Sequence, residues 1–559
     1  MRRVVSREPT APSPGLDGEP TSAGAAASRP GPVRPALGAS SLVALGILGS
    51  RISGLVRERF IGHYFGITLV ADAFRQASRV PNLLSNLFGE GVLSASFVTV
   101  YAKLRALGKD DEAEQLAAAV FGLLSLVCAV AVVLGVVLTP FLIDVIAPGF
   151  TGERRVLTIQ IVRVLFPGTG VLVMSAWCLG VLNSHGRFLL SYLAPVATNA
   201  TMIGALIVFG ARTPSNRLVM DAAWAYVAGN VLSFLVQLPP VLRILPSFRP
   251  VLEWQSEHVR SVVRNFGPIF LSRGVVQISA LIDSTIASWL PTGAVAVLGP
   301  AQVISVLPIS LFSMSVTAAE LPALSSAVGT QQEVSAFLRR RLAAGLRRIA
   351  FFIVPSAVGF LVLGDVIGAA LYQTGKFTHA DVLYLWSVLA GSSVGLLASS
   401  LGRLYSSAFY SLLDTRTPLR FAVIRVVLTT LLGLVFALLV PHWLGINPRW
   451  GAAGLTASAG IAGWVEFALL RRALHGRIGD TALTAAFTLK LWAVALLGAA
   501  IGYSFKIVIG AAFGSAHPIL LALVVLPLYG AIYFGGTMLL GIPEAKSAFA
   551  PILRRAGLR

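Results

Sequence analysis

The sequence predicts an all-α polytopic membrane protein with about fourteen transmembrane helices. Of its 559 residues, 56% are hydrophobic and only 12% are charged. The mean hydropathy of +0.80 is far above that of a soluble domain of this size. Apolar segments of roughly 20 residues, the length that crosses a bilayer as a helix, recur along the whole chain. These observations together place the chain in the class of helical membrane proteins.

The predicted spans are separated by short polar segments that are alternately rich and poor in Lys and Arg. Because basic loops stay on the cytoplasmic side, this alternation predicts that the protein is multi-pass and that both termini are cytoplasmic. The same rule explains the net charge of +20 as charge that faces anionic lipid head groups, so no nucleic-acid partner is expected. The apolar segments lie near residues 38–62, 70–101, 116–145, 156–182, 187–209, 219–242, 264–290, 296–325, 349–372, 381–410, 418–440, 451–470, 485–505 and 518–541.

A weak internal repeat predicts two halves of six helices each. Ser50-Arg51 in the first helix is echoed by Ser272-Arg273 in the seventh, and Phe150-Thr151 is echoed by Phe377-Thr378. Repeats of this kind place a transport site at the interface between the halves. The predicted domains are a disordered cytoplasmic tail at 1–36, an N-terminal six-helix lobe at 37–242, a cytoplasmic linker at 243–263, a C-terminal six-helix lobe at 264–474, and helices 13 and 14 with a basic C-terminal tail at 475–559.

The stretch from Ser50 to Phe97 is the most informative part of the chain, because it carries many charges among apolar residues. A charge at the bilayer centre costs about 2.5–3.5 kcal/mol, so these side chains must face protein or water. Residues at steps of three or four share one face of a helix. That spacing links Asp72, Arg75, Arg79, Asn82, Asn86 and Glu90. The pattern favours a water-filled cavity with a cationic wall, suited to an anionic substrate; the alternative is that the charges only pair with one another and join helices.

No sequence motif indicates catalysis or a cofactor. The chain has no GxxxxGK[ST] phosphate loop and no HExxH zinc motif. Its two cysteines, Cys128 and Cys178, lie in apolar runs and predict neither a disulfide nor a metal site. Transport driven by the membrane potential or by an ion gradient is therefore favoured over enzymatic activity.

Several runs of residues resemble one known family. They are SRISGLVRERFIGHYFG, RVPNLLSNLFGEGVLSASFV, LNSHGRF, YQTGKFT and FYSLLDTRTP, in that order along residues 38–420. The resemblance is to the MurJ/MviN family of lipid II flippases, in the multidrug/oligosaccharidyl-lipid/polysaccharide exporter superfamily. It implies a V-shaped bundle of two lobes, in which helices 13 and 14 form a groove for a polyprenyl tail. It also implies a location in the bacterial cytoplasmic (inner) membrane, and lipid II and membrane lipids as partners. The lipid would be transferred from the inner to the outer leaflet by alternating access. Any partner among cell-wall synthesis proteins is unidentified.

The family's functional positions match Ser50, Arg51, Arg57, Asp72, Asn82 and Glu90, and Glu58 stands where the family usually has Asp. Two arginines expected from the resemblance are missing, because the equivalent regions read Leu84-Ser85-Asn86 and Gln302-Val303. We hypothesise that Arg75, Arg79 and Arg273 replace them. The predicted substrate-binding residues are Ser50, Arg51, Arg57, Glu58, Asp72, Arg75, Arg79, Asn82, Asn86, Glu90 and Arg273.

Some family members bind sodium with an acid on the seventh helix, and Asp283 is the candidate here. The eleventh helix offers only Thr429 and Thr430 with Arg425 nearby, which disfavours ion coupling. Three other functions stay open at this point. A flippase for another lipid-linked oligosaccharide would share the cationic cavity, a cation-coupled drug exporter would need an anionic one, and a scaffolding protein would tolerate neutralisation of Arg51 and Arg57.

Overall fold

The computed structural model describes residues 37–88, 93–326, 330–513 and 517–547, and within these ranges it contains helices but no strand. We number the α-helices in chain order. The first nine are α1 (Leu37–Phe65), α2 (Leu69–Phe88), α3 (Thr99–Ala106), α4 (Asp110–Val137), α5 (Thr139–Ile146), α6 (Gly152–Ser184), α7 (Phe188–Gly210), α8 (Ser215–Ile244) and α9 (Glu257–Ser288). The others are α10 (Ala294–Pro308), α11 (Ser315–Ser325), α12 (Gln331–Tyr372), α13 (His379–Ser411), α14 (Arg416–Leu434), α15 (Val440–Trp443), α16 (Gly451–Ile478), α17 (Ala485–Phe513) and α18 (Pro518–Leu539).

Local sequence explains several helix starts. Thr330 and Thr378 each form a capping box, with Glu333 and Asp381 respectively, so that the first free N–H groups of α12 and α13 are satisfied. Short π-helical turns join α10 to α11 and α14 to α15, so each of these pairs forms one long rod. Some membrane-length segments are therefore single α-helices, and others consist of two consecutive α-helices joined by a π-helical turn.

Eleven helical segments within the described residues are long and apolar enough to cross a membrane. They do not include α1, α2 and α9, which contain 29, 20 and 32 residues. Parts of α1 and α9 lie outside the described side chains, so the number eleven does not bear on these two helices. In α2, the charged side chains of Asp72, Arg75 and Arg79 lower the hydropathy. The all-helical membrane fold is confirmed, and the count of fourteen spans stays a prediction.

The helices pack into two groups. In the first group α6 contacts α2, α4 and α8, and α7 contacts α1 and α8. In the second group α13 packs against α12 and α16, α14 packs against α16, and the pair α17 and α18 packs against α12. The helices α9 and α10 both contact α2, so they lie where the two groups meet. The domain boundaries given above stay predictions.

The two groups are joined firmly at the end of the bundle where α1 and α12 terminate. The backbone N–H of Lys376 donates to the carbonyl of His63 at 2.8 Å, and His63 Nδ1 lies 2.9 Å from Thr374 Oγ1. Arg59 donates to the last carbonyls of α12, those of Ala370 and Leu371, at 2.8 and 2.7 Å. We call this region, with the loops at 66–68, 147–151, 289–293 and 373–378, the closed end.

A second contact seals the closed end between α6 and α9. The Arg154 guanidinium donates to the carbonyl of Ser288 at 2.9 Å, and the N–H of Gly149 donates to Ser288 Oγ at 3.2 Å. A Cβ on Gly149 would lie 2.2 Å from the Ser288 carbonyl oxygen, so only glycine permits this approach.

The opposite end of the group interface is held by fewer polar contacts among the described residues. Phe88 at the end of α2 lies against Phe266 of α9, with ring centroids 5.9 Å apart. Nearby, His258 Nε2 lies 3.0 Å from Glu112 at the start of α4. The interior between α2 and α9 is thus bounded by contacts at both ends.

The 373–378 loop of the closed end requires glycine at position 375. Its φ of +56° is unfavourable for other residues, and a Cβ there would lie 2.4 Å from the His63 carbonyl oxygen. We expect Gly375→Ala to lower the free energy of unfolding by about 2 kcal/mol through strain and displacement of the loop. The measurement is the thermal unfolding midpoint of the purified protein. Gly476→Ala is the control, because nothing lies within 4 Å of its Cβ position; equal midpoints for the two variants would contradict the expectation.

Candidate functional site

A cavity of about 400 Å³ lies between α1, α2, α7, α8, α9 and α10. Six of the predicted site residues line it, together with four further polar residues, Ser78, Tyr226, Gln277 and Gln302. The predicted six are Arg57, Glu58, Arg75, Arg79, Asn82 and Asn86. The helical spacing in α2 therefore brings Arg75, Arg79, Asn82 and Asn86 onto one wall, as predicted.

The rest of α2 explains why this stripe faces the cavity. Val70, Ala73, Ala77 and Val80 are buried against neighbouring helices. Because apolar and polar residues occupy different faces, the rotation of α2 is fixed by burial of its apolar face. The polar face is then left toward the gap between the two helix groups.

Glu58 is the centre of the charge arrangement in the cavity. One of its carboxylate oxygens accepts from Arg57 Nη2 at 2.9 Å, and the other accepts from Arg75 Nη2. Glu58 is only 3% exposed, whereas the side chains of Arg57 and Arg75 keep 28% and 16% of their surface accessible. One buried carboxylate thus holds two guanidinium groups, and both retain N–H donors for a ligand.

Further contacts fix the positions of these arginines. Arg57 Nη1 donates to Asn199 Oδ1 at 3.1 Å, and Asn199 in turn donates to Ser53 Oγ at 2.8 Å. Arg75 lies against Gly299 of α10, where a Cβ would be 2.8 Å from its Cζ and Nε atoms. The absence of a side chain at position 299 therefore makes room for the Arg75 guanidinium.

The amide side chains of α2 reach two other helices. Tyr226 of α8 donates to Asn82 Oδ1 at 3.4 Å, and Asn86 Nδ2 donates to Gln277 Oε1 of α9 at 3.4 Å. Asn82 and Asn86 are exposed to the cavity. These long hydrogen bonds leave most of their donor and acceptor capacity available.

Asp72 is placed differently from the rest of the stripe. It is fully buried, and its two oxygens accept from the backbone N–H groups of Gly293 and Ala296, each at 2.7 Å. Arg154 Nη1 lies 3.5 Å away. The carboxylate therefore caps the start of α10, where unpaired N–H groups favour negative charge, and it does not lie on the cavity wall.

The remaining predicted residues are not brought to this cavity by the described structure. Ser50 and Arg51 lie on α1 but do not line this cavity. Arg51 is exposed, and the Ser50 carbonyl accepts a hydrogen bond from Ser53 Oγ at 3.0 Å. Glu90 lies outside the described residues. Arg273 belongs to α9, and its side chain lies outside the described part of the chain.

A second cavity of about 330 Å³ adjoins the first and is lined by α9, α10, α13, α14 and α16. Arg79 and Gln302 belong to both walls. Asp283 lies on this second wall, where it interacts electrostatically with Arg79 and Arg425. Arg425 also donates to Glu466 at 3.2 Å.

The surroundings of Asp283 are cationic. Two guanidinium groups supply positive charge to this carboxylate. Within the described residues, no cluster of three or more His, Cys, Asp or Glu could hold a metal ion. The metal site at Asp283 stays a prediction.

Some residues of the site carried little sequence signal. Asn199 could have been found as a polar residue in the apolar helix α7. Gly299 gave no signal, because its importance comes from the close approach of Arg75 in a different helix.

Comparison with known proteins identifies the family. The family model described as "Lipid II flippase MurJ" matches residues 61–522. The chain belongs to the lipid II flippase MurJ family. A relative from Burkholderia cenocepacia, "Lipid II flippase MurJ", is 30% identical over 437 residues, which cover 77% of this chain and 81% of the relative. "Probable lipid II flippase MurJ" of Bdellovibrio bacteriovorus is 31% identical over 439 residues, covering 77% of this chain and 80% of the relative.

Solved structures show that this MurJ-family chain has the fold of multi-pass transporters. A structure titled "Lipid II flippase MurJ, inward closed conformation" matches with a TM-score of 0.70 and 22% identity, covering 89% of this chain and all of the other. An inward-facing MATE-family multidrug transporter matches with a TM-score of 0.61 and 18% identity, covering 79% of this chain and all of the other.

Removal of the shared carboxylate tests its central position in this MurJ-family chain. Glu58→Gln leaves Arg57 and Arg75 without their common anion, so we expect the free energy of unfolding to fall by roughly 2–3 kcal/mol, less than for a fully buried pair because both arginines border the cavity. Chemical or thermal unfolding of the purified protein measures this. Asp144→Asn is the matched control, since the Asp144–Arg155 pair is exposed; a loss as small as the control's would contradict the central position of Glu58.

The role of Gly299 is tested by a double-mutant cycle. We expect Gly299→Ala to destabilise the protein by about 1–2 kcal/mol, because the added methyl group would overlap the Arg75 guanidinium. In an Arg75→Gln background the same change should cost much less, since glutamine is shorter. Unfolding of the four proteins gives the coupling free energy, with Gly204→Ala as a control at a position with no neighbour within 4 Å. Additive effects would show that Gly299 does not act through Arg75.

Proposed function

We propose that this protein is a lipid II flippase, which moves the undecaprenyl-diphosphate-linked peptidoglycan precursor from the inner to the outer leaflet of the cytoplasmic membrane. The observation that carries the proposal is the cavity in which three guanidinium groups, those of Arg57, Arg75 and Arg79, accompany a single carboxylate. Membership of the MurJ family supports the same function.

The cavity meets the chemical requirement of a diphosphate. Moving an anionic, sugar-bearing head group through hydrocarbon unaided is prohibitive, because its charges and hydroxyl groups would lose their hydrogen bonds. Arginine N–H groups form strong charge-assisted bonds to phosphate oxygens. Asn82, Asn86 and Gln277 add neutral donors and acceptors for sugar hydroxyls. The polyprenyl tail stays in the lipid.

Arg75 and Arg79 take the place of the two arginines that the family resemblance implies and this chain lacks. Arg75 is held by Glu58 and Gly299, while Arg79 lies on both cavity walls. Arg273 on α9 is proposed as the third replacement. Asp72 acts indirectly, through the link between α2 and α10.

Transport by alternating access requires the closed end to open. With both termini in the cytoplasm, the closed end faces the outside, so the described conformation keeps the substrate cavity shut off from the periplasm. Rocking of the two helix groups would break the contacts of the 373–378 loop with α1 and expose the cavity to the outer leaflet. Because the cavity lies in the gap between the groups, this movement would change which side of the membrane it opens to.

The cationic wall also separates the proposal from its alternatives. A cation-coupled drug exporter needs an anionic cavity, whereas here the guanidinium groups outnumber the carboxylates. A flippase for another lipid-linked oligosaccharide has the same diphosphate requirement and is distinguished by its sugar and peptide. A scaffolding protein would tolerate loss of the cavity arginines.

Complementation tests the function. In cells depleted of their own lipid II flippase, the wild-type chain should restore growth and prevent internal accumulation of lipid II. We expect Arg57→Gln, Arg75→Gln and Arg273→Glu to lower flipping about tenfold or more, because each removes charge-assisted bonds to the diphosphate. Arg155→Gln, in an exposed ion pair, is the control. Full activity of the cavity variants, with expression matched by immunoblot, would refute the assignment.

A further inference from the structure

We infer that the second cavity binds the peptide part of the lipid-linked substrate, while the first cavity binds its diphosphate. This inference rests on the proposed function and assigns one region of the substrate to each cavity. Two observations support it: the walls of the two cavities differ in chemistry, and the cavities adjoin each other.

The two cavities differ in charge. In the first, three guanidinium groups accompany the single carboxylate of Glu58, both of whose oxygens are already occupied by arginines. In the second, the guanidinium groups of Arg79 and Arg425 line the wall with the carboxylate of Asp283, and Arg425 donates to the Glu466 carboxylate at 3.2 Å, so positive and negative groups are equal in number. The first wall therefore favours an anion, and the second favours a ligand of mixed or neutral charge.

The second wall also carries a row of hydroxyl groups with one shared property. Each donates its hydrogen to a helix carbonyl, so the lone pairs of its oxygen remain available as acceptors. This arrangement is seen at Ser305, Ser392, Ser399 and Thr456, with donor–acceptor distances of 2.8, 2.9, 3.2 and 3.0 Å. Asp283 Oδ1 is buried without a hydrogen-bond donor among the described residues. The wall is thus rich in acceptors for N–H groups.

Peptides match this combination. Every peptide unit offers one N–H donor and one carbonyl acceptor, and a stem peptide adds carboxylate and amine groups. The hydroxyl oxygens and Asp283 accept from N–H groups, while the remaining N–H groups of Arg425 donate to carbonyl or carboxylate oxygens. Apolar residues such as Leu298, Val388 and Leu455 lie between the polar ones and can contact side chains. A diphosphate, which presents only acceptors at neutral pH, would find no matching donors along the hydroxyl row.

Continuity makes simultaneous occupation possible. Arg79 and Gln302 line both cavities, so a ligand whose charged end lies beside Arg75 can extend past Arg79 toward Asp283. The volume of about 330 Å³ is within the range of small-ligand sites, which begins near 300 Å³. The order of groups along the substrate, diphosphate then sugar then peptide, follows the order of the two cavities.

Binding of two lipids by the purified full-length chain tests the inference. The probes are lipid II and the same undecaprenyl-diphosphate disaccharide without its peptide, with dissociation constants measured by thermophoresis. We expect the double variant Ser399→Ala/Thr456→Val to raise the Kd for lipid II by about threefold to tenfold for each lost hydrogen bond. The Kd for the peptide-free lipid should stay within about twofold, because no contact with it is lost.

Two further variants make the result specific. Arg75→Gln, in the first cavity, should raise the Kd of both lipids alike. Ser325→Ala is the matched control: its hydroxyl also bonds a helix carbonyl, that of Leu321, but it lies exposed on α11 and lines neither cavity. If the double variant fails to fold, as judged by its thermal unfolding midpoint, the single Ser399→Ala variant replaces it.

Three results would overturn the inference. The double variant could shift both Kd values equally, which would place the shared head group in the second cavity. It could shift neither, which would leave the cavity without a substrate contact. Finally, the wild-type chain could bind neither lipid more tightly than phosphatidylglycerol, and this result would refute the proposed flippase function as well.

Discussion

The site depends on one buried carboxylate that is shared by two arginines. Glu58 lies on α1, where this helix faces α2, and it binds Arg57 through one oxygen and Arg75 through the other. Without this anion, two guanidinium groups on adjoining helices would repel each other in a region of low dielectric constant. With it, the same two groups can stand close together and still present N–H donors to a ligand. A dense positive wall inside a membrane protein thus requires a negative charge placed behind it.

The fold class and the charged residues of the first cavity wall could be predicted from the sequence, but not the position of every predicted residue. Helical spacing correctly grouped Arg75, Arg79, Asn82 and Asn86 on one face of α2. The same spacing placed Asp72 with them, yet Asp72 caps α10 instead. Periodicity gives the direction of a side chain around a helix axis but not its depth in the bundle, and Asp72 lies about 10 Å along the axis from Arg79.

The spacing of residues in the sequence could not predict which distant segments contact one another. Gly375 of the GKFT run was recognisable as part of a family motif. The physical reason for a glycine there is the close approach of the His63 carbonyl, which is more than 300 residues away in the chain. The pairing of Glu58 with Arg75, and the approach of Arg75 to Gly299, likewise depend on how three helices are rotated against one another. Such relationships follow from packing, which is a property of the whole bundle.

The close approach of Arg75 to Gly299 has an evolutionary consequence. With a methyl group at position 299, the Arg75 guanidinium would have to shift from its present place beside Glu58. The two positions therefore constrain each other's substitutions although they lie on different helices. A lineage that gains a larger residue at position 299 must accommodate a displaced cation, so relatives that differ at one position are expected to differ at the other.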